Sequence, residues 1–497
     1  MNTRKITFQC LLVLIMQAVV SSPVRADIFS AWRTGNGTDP SFNTPQQLCD
    51  YLYYEVWPGM TSLYRPENNG YDSPILYSCG YSANGLGKLG LGHLMTLNCS
   101  EGQRPNAWYS SCVEESTKGV DEGSLVCSSP STLAGNPINF TYGNKIQNET
   151  DLESKTMKVS RFYNSADGLW RHNFSTHLFF SDRSVVMVLS DGKEHSFSPG
   201  SEDYTSGTDL GILKKDGDSW RYTGPDQKVL SFSLQGDLTE IDNPGGVVYK
   251  LNYTKKGAGR EVVIRNSYGE LIVLLETSTR QLKSVQGAAR NLVFVYNDSQ
   301  RLIERRYTVD GIVSVRQYHY ENNYNPDLLT GITDERGVRF ATWAYDIAGR
   351  AISSQHASSA GVVKITYRGD QYRVVTNELG KETAYRYELI SGINRLVEIK
   401  GEPTPDCPAS NSSYTYNERG QVLTKTDAKG LITTYDYNGR GLETSRTEAS
   451  GTTLARTVTT EWDPERFLPT RVTEPDRITT FSYDVQGREL SRQTTSR

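Results

Sequence analysis

The stretch YNERGQVLTKTDAKGLITTYDYNGRG, residues 416–441, holds three copies of an Asp or Asn followed three residues later by Gly: Asn417 and Gly420, Asp427 and Gly430, Asn438 and Gly441. In a type I turn the first position favours Asp or Asn, whose side chain accepts backbone hydrogen bonds. The fourth favours Gly, which enters the left-handed region without a Cβ clash. Each copy therefore reads as a hairpin corner. Between corners, Tyr414-Thr415-Tyr416 and Tyr435-Asp436-Tyr437 send successive side chains to opposite faces of a sheet.

The signal recurs along the chain. Tyr-(Asp/Asn)-x-x-Gly occurs at 345–349, 416–420, 437–441 and 483–487, so that Asp346 and Gly349 bound the first such turn and Asp484 and Gly487 the last. Tyr296-Asn297 is an imperfect copy with Gln300 in the Gly position, while Tyr367 and Tyr387 keep only the aromatic. Partner turns lie between these, at Asp334 and Gly337, Asn377 and Gly380, and Asp427 and Gly430, with Glu474-Pro475-Asp476-Arg477 as a copy lacking the Gly. Two corners per unit make a strand-turn-strand-turn ribbon. One unit cannot bury its own apolar face, so copies must stack or coil into a continuous sheet.

Tyr345-Asp346-Ile347-Ala348-Gly349-Arg350 and Tyr483-Asp484-Val485-Gln486-Gly487-Arg488, alternating with T-D-x-x-G turns, resemble the Rhs, or YD-repeat, family over residues 236–497. Ahead of them, Gly135-Asn136-Pro137-Ile138-Asn139, Gly143-Asn144-Lys145 and Glu149-Thr150-Asp151 are similar to the opening of the domain that commonly precedes these repeats. The resemblance implies a hollow, curved β shell that encloses a C-terminal polypeptide, often a toxin, and takes part in its secretion or delivery. Family members usually carry many more repeats, then a Pro- and Asp-containing motif at which the core ends and cleaves itself, then a variable tip. No such motif stands before Arg497, so neither that activity nor any toxin chemistry transfers to residues of this chain.

Composition agrees with a mostly β chain. Thirty Tyr and 43 Gly, with abundant Thr and Val, favour short strands and tight turns over helices. A net charge of -4 from 53 basic and 57 acidic residues gives no electrostatic reason for nucleic-acid or anionic-membrane binding. Arg4 and Lys5, an apolar run from Ile6 to Val20 and the small-residue site Val24-Arg25-Ala26 read as a secretory signal peptide, residues 1–26. An uncleaved anchor is the rival, but the run is shorter than the ~20 apolar residues that span a bilayer, and no later segment is long enough. The mature chain is thus expected to be exported and without a membrane span.

Residues 27–130 form a Cys-rich module holding Cys49, Cys79, Cys99, Cys112 and Cys127, with Cys407 far downstream. In an oxidising compartment most of these pair, in a connectivity that sequence leaves open. Zinc is the alternative, but no C-x-x-C or Cys/His couple occurs. Residues 131–235 carry alternating runs closed by Asp191-Gly192 and Asp216-Gly217, which read as a domain of β-hairpins, and 236–497 carry the repeats.

Chemistry-bearing motifs are sparse. Gly85-x-Gly87-x-x-Gly90 matches a dinucleotide fingerprint but has neither a preceding apolar strand nor a following helix, and reads as a flexible loop between Cys79 and Cys99. The histidines His93, His172, His177, His195, His319 and His356 are scattered and read as surface or sheet residues; His172 and His177, five apart, are wrongly spaced for a shared metal on one strand. No G-x-S-x-G, H-E-x-x-H or P-loop string is present. The expectation is a non-catalytic scaffold with no cofactor and no metal, whose partner is an enclosed or delivered polypeptide or another repeat-bearing chain. The alternative is a cell-surface or wall-associated protein whose exposed aromatics stack on glycans. N-terminal sequencing of the exported protein should start at Asp27, and non-reducing mass spectrometry should show at least two linked pairs among Cys49 to Cys127; a chain starting at Met1 with five free thiols would contradict both expectations.

Overall fold

The computed structural model describes residues 132–497 apart from 181–183, 201–202, 207–208, 245, 288–289, 310, 391–392 and 402–410. Ahead of these it describes the backbone of six strands, Ala26–Thr34, Ser62–Tyr64, Leu76–Ala83, Leu86–Ser100, Gln103–Pro105 and Cys112–Glu114. The glycine string expected to be a loop falls in a hairpin instead: Gly87 pairs with Ser82 and Gly90 with Cys79, so the segment is paired strand rather than phosphate-binding turn. The six candidate cysteines lie outside the described residues, with Cys79, Cys99 and Cys112 placed in backbone only.

Two sheets make up the described body. Leu133–Ala134, Ile138–Asn139, Asn144–Glu153, Lys158–Asn164 and Leu169–His172 form a five-stranded antiparallel sheet, called here the inner sheet. From His177–Phe180 to Glu489–Ser496, thirty strands then pair each with the next in sequence, in one antiparallel ribbon. Val229–Ser233 pairs with Leu238–Asp242, so the ribbon passes residue 236 without a break. Among the described residues there is no α-helix, only one 3-10 turn at Ala357–Ser359.

The ribbon is made of its corners. Asp346 Oδ1 accepts from the backbone N–H of Ala348 at 3.0 Å and Arg350 at 2.9 Å, while Gly349 N–H donates to the Asp346 carbonyl at 3.0 Å. Gly349 sits at φ +77°, and Gly420, Gly430, Gly441 and Gly487 repeat the geometry at +72°, +79°, +85° and +80°. Asn417, Asp427, Asn438 and Asp484 accept the same pair of N–H groups. At each Tyr-bearing corner the pairing also slips by one residue, as between Ala344 and Tyr345 or Asp436 and Tyr437. Such a bulge adds twist and bends the strand. Because strands alternate in direction, these Tyr-bearing bulged corners fall on the same edge, and the ribbon curls.

It curls far enough to meet itself. A Cβ on Gly441 would lie 2.8 Å from Leu210 Cδ2, and one on Gly487 would lie 3.8 Å from Gln227 Oε1. Leu210 and Gln227 belong to corners of the opposite edge. About twenty strands at ~4.8 Å therefore make one turn on the order of 100 Å around, and the edge of the later turn rests on the edge of the earlier one. Inside that turn lies the inner sheet: Ile138, Phe140, Val159, Tyr163 and Trp170 share one core with ribbon residues from Leu178 to Tyr414.

Corner substitutions separate backbone strain from contact. Gly430→Ala should cost about 1 kcal/mol, the left-handed penalty alone, because nothing lies within 4 Å of its would-be Cβ. Gly420→Ala should cost more, since its Cβ would stand 2.5 Å from Arg395 Nη2. Gln300, which holds a Gly position at φ +58°, should gain stability when replaced by Gly, by up to about 1 kcal/mol. Urea midpoints of the three variants check the order.

Candidate functional site: the seam between inner sheet and ribbon

Polar side chains whose partners the sequence does not reveal pin the inner sheet to the ribbon. Lys145 is fully buried, yet its Nζ donates to Asn136 O at 2.7 Å, Ile146 O at 2.5 Å and Gln147 Oε1 at 2.8 Å, and sits 4.1 Å from the centre of the Trp343 ring. Burial drives its pKa down, with Glu149 opposing. Trp343 Nε1 donates to the same Asn136 carbonyl at 2.7 Å. Tyr163 Oη donates to Asp327 O at 2.7 Å and accepts from Leu329 N–H at 2.9 Å. Arg373 reaches the Phe140 and Thr141 carbonyls at 3.2 and 3.1 Å.

Two ionic clusters cross the same seam. In the first, Arg161 of the inner sheet donates to Asp151 Oδ2 at 2.5 Å and Glu149 Oε2 at 3.2 Å, while its guanidinium lies over Phe294 and Trp170. Burial disfavours this cation, but Asp151, Tyr318 and Glu149 outweigh the penalty and hold its pKa above the ordinary arginine value. From the ribbon, Arg316 meets Glu149 at 3.2 Å, Arg305 meets Asp151 at 3.5 Å, and both arginines bind Glu335. Three guanidiniums thus face three carboxylates. In the second cluster, His172 Nε2 lies 2.8 Å from Glu276 Oε1, Arg260 Nε lies 2.5 Å from Glu276 Oε2, and Arg260 and Arg280 share Asp237 at 2.6 and 3.0 Å. His172 and His177, expected to be surface or sheet residues, are both buried; they belong to different strands on either side of residues 173–176.

Along the ribbon the repeat tyrosines have a second task. Tyr253, Tyr296, Tyr345, Tyr367, Tyr416, Tyr437 and Tyr483 each donate their hydroxyl to a backbone carbonyl 14 to 20 residues earlier: Leu238, Leu282, Leu329, Ala351, Leu396, Val422 and Pro469, at 2.5 to 2.9 Å. Trp462 does the same with Nε1 to Glu443 O at 2.8 Å, in a corner where Asp463 accepts from Glu465 and Arg466. Arginines tie corner to corner: Arg419 donates to Gly439 O at 2.9 Å, Arg440 to Asp463 O, and Arg466 to Asp484 O at 2.8 Å. Asp346, Gly349, Asn417, Gly420, Asp427, Gly430, Asn438, Gly441, Asp484 and Gly487 lie in turns at the two ribbon edges and are not gathered into one site.

Among the described residues no group of three or more His, Cys, Asp or Glu side chains is placed to hold a metal, and no helix is long and apolar enough to cross a membrane. Two family models match the chain. The first, described as Domain of unknown function (DUF6531), matches residues 135–197, which include the whole inner sheet after Ala134; the second, described as RHS Repeat, matches 416–453. The chain carries an RHS repeat. No curated protein matches it in sequence. Among solved structures it is similar to TcdB2-TccC3-TEV, with 13% identity, 75% of this chain and 20% of that chain covered, and a TM-score of 0.36. It is also similar to TcdB2-TccC3, with 12% identity, coverage of 90% and 27%, and a TM-score of 0.28. The Tc holotoxin pore of Photorhabdus luminescens gives 12% identity, coverage of 84% and 26%, and a TM-score of 0.27. The chain spans about a quarter of the length of these chains or less.

The seam of the RHS-repeat ribbon should be far more sensitive than its corners. Arg161→Met leaves buried Glu149 and Asp151 short of a counter-charge and should cost about 3–5 kcal/mol, whereas Arg488→Met, at an exposed corner pair with Asp484, should cost under about 1 kcal/mol. Thermal and urea unfolding of the two variants compare these values.

Proposed function

We propose that the chain is a secreted, non-catalytic scaffold of an Rhs-type effector or secretion system, in which the coiled ribbon encloses or delivers a polypeptide. The observation that carries the reading is a change of cover along one face. Ala341 and Trp343 face the inner sheet, and by the alternation of the strands Tyr414, Tyr416, Tyr435, Tyr437, Phe481 and Tyr483 continue that face. Ring and hydroxyl contacts of the inner sheet reach along that face to Tyr385 and Tyr387. One stretch of the coil is therefore filled by the protein's own residues, and the next presents aromatic and mixed-charge side chains inward.

The titratable groups of the seam have paired partners and support a holding role rather than turnover. The glycan-binding alternative loses part of its chemistry, because the repeat tyrosines spend their hydroxyl protons on backbone carbonyls and can offer a sugar only an acceptor oxygen. An exported location follows from the signal-like residues 1–26, and the partner is an enclosed polypeptide or a second repeat-bearing chain. Protease protection tests the reading: a polypeptide carried by or co-purified with the exported chain should survive added protease until the ribbon is unfolded. Digestion at the same rate before and after unfolding, together with retention on a polysaccharide column, would favour the glycan reading instead.

A further inference from the structure

The chain passes from inner sheet to ribbon through residues 173–176, and a buried histidine stands on each side of that passage. His172 gives Nε2 to Glu276, and its Nδ1 has no partner. His177 turns Nδ1 toward the Ser175 carbonyl at 2.7 Å, packs edge-on against Phe179, and faces the cations Arg280 and Arg171 and the anion Asp237. Each cation here already has a carboxylate: Arg171 is bound by Asp167 at 2.5 Å and faces Asp191, Arg260 is bound by Glu276, and Arg260 and Arg280 divide Asp237 between them. A proton on His177 would therefore add a charge for which no unshared carboxylate is at hand.

We propose that this passage is a proton-operated latch: the uncharged imidazole of His177 holds the inner sheet closed against the ribbon near neutral pH, and mild acid charges it and loosens the seam over residues 158–177. The latch is independent of what the ribbon encloses.

The sign follows from where each proton is easier to bind. Burial first, and Arg280 second, push the His177 pKa below the ordinary histidine range. The open seam therefore takes up the proton near ~6.5, the value of an exposed imidazole, and closure weakens as the pH falls from there toward the lower pKa of the closed state. The carboxylates do not confuse this window. Burial opposes ionisation of Glu276, but Arg260 and His172 hold its pKa below the usual carboxylate value; burial likewise opposes Asp237, and Arg280 and Arg260 overcome it. Both stay ionised while His177 titrates.

Hydrogen exchange on the full chain, corrected for intrinsic rates, tests the latch. Protection of amides in 158–177 should fall by up to about tenfold per pH unit for each proton taken up between about pH 6.5 and about pH 5, while the ribbon strand Arg339–Tyr345 keeps its protection. The variant His177→Asn keeps an Nδ1-like donor toward the Ser175 carbonyl but cannot charge, and its protection should stay flat. Constant protection in the native chain, or the same fall in the variant, would overturn the proposal. Should the variant not fold, exchange of the His177 imidazole C2 hydrogen in the native chain decides: a midpoint below about 6.5 that coincides with the loosening supports the latch, and any other midpoint refutes it.

Discussion

A single-layer antiparallel ribbon has two faces and one layer of side chains for each, so its apolar face must be covered by something else. Here the cover is the inner sheet, and the contact that fixes it is Arg161, held by Asp151 and Glu149 and stacked between Phe294 and Trp170. A guanidinium without water is tolerable only when its charge is neutralised and its faces are packed. Those partners come from both sheets. The Lys145 and Tyr163 contacts repeat the logic further along the ribbon, at Trp343 and at Asp327 and Leu329.

Curvature itself is local. An Asp or Asn accepts two N–H groups, a left-handed residue closes the corner, and a bulge beside the tyrosine bends the strand, always on the same edge. The tyrosine hydroxyl then fastens each bulged strand to a carbonyl earlier in the chain. Phe could supply the ring but not that bond, which accounts for Tyr as the repeat's signature aromatic. Corner, bulge and clamp together set the pitch at which Gly441 reaches Leu210.

How much of this was legible follows from range. The Asp-x-x-Gly corners are decided within five residues, so the local sequence states them, and a mostly β ribbon follows from their repetition. Gln300 was recognisable as a degenerate corner because its neighbours kept the pattern. Trp462 and Asp463 escaped notice because neither Tyr nor Gly survives there, although indole N–H and Asp carboxylate make the same bonds. The hydroxyl clamps leave no trace beyond the choice of Tyr, since a backbone carbonyl has no residue identity. The seam was illegible: Arg161 to Tyr318, Lys145 to Trp343 and His172 to Glu276 join residues more than a hundred positions apart, and their charge and aromatic types occur throughout the chain. His172 and His177 do lie in strands, but their burial was illegible for the same reason.

The central claim is that the ribbon wraps the inner sheet and returns onto its own edge. Photo-cross-linking from a benzophenone amino acid at Leu210, mapped by mass spectrometry, tests it most directly. The coil predicts that linkage reaches the corner at Asn438 to Gly441, more than two hundred residues downstream and in the same molecule. Linkage confined to sequence neighbours of Leu210, with the 438–441 peptide unmodified, would mean that the ribbon does not close, and the account of the coil would be wrong.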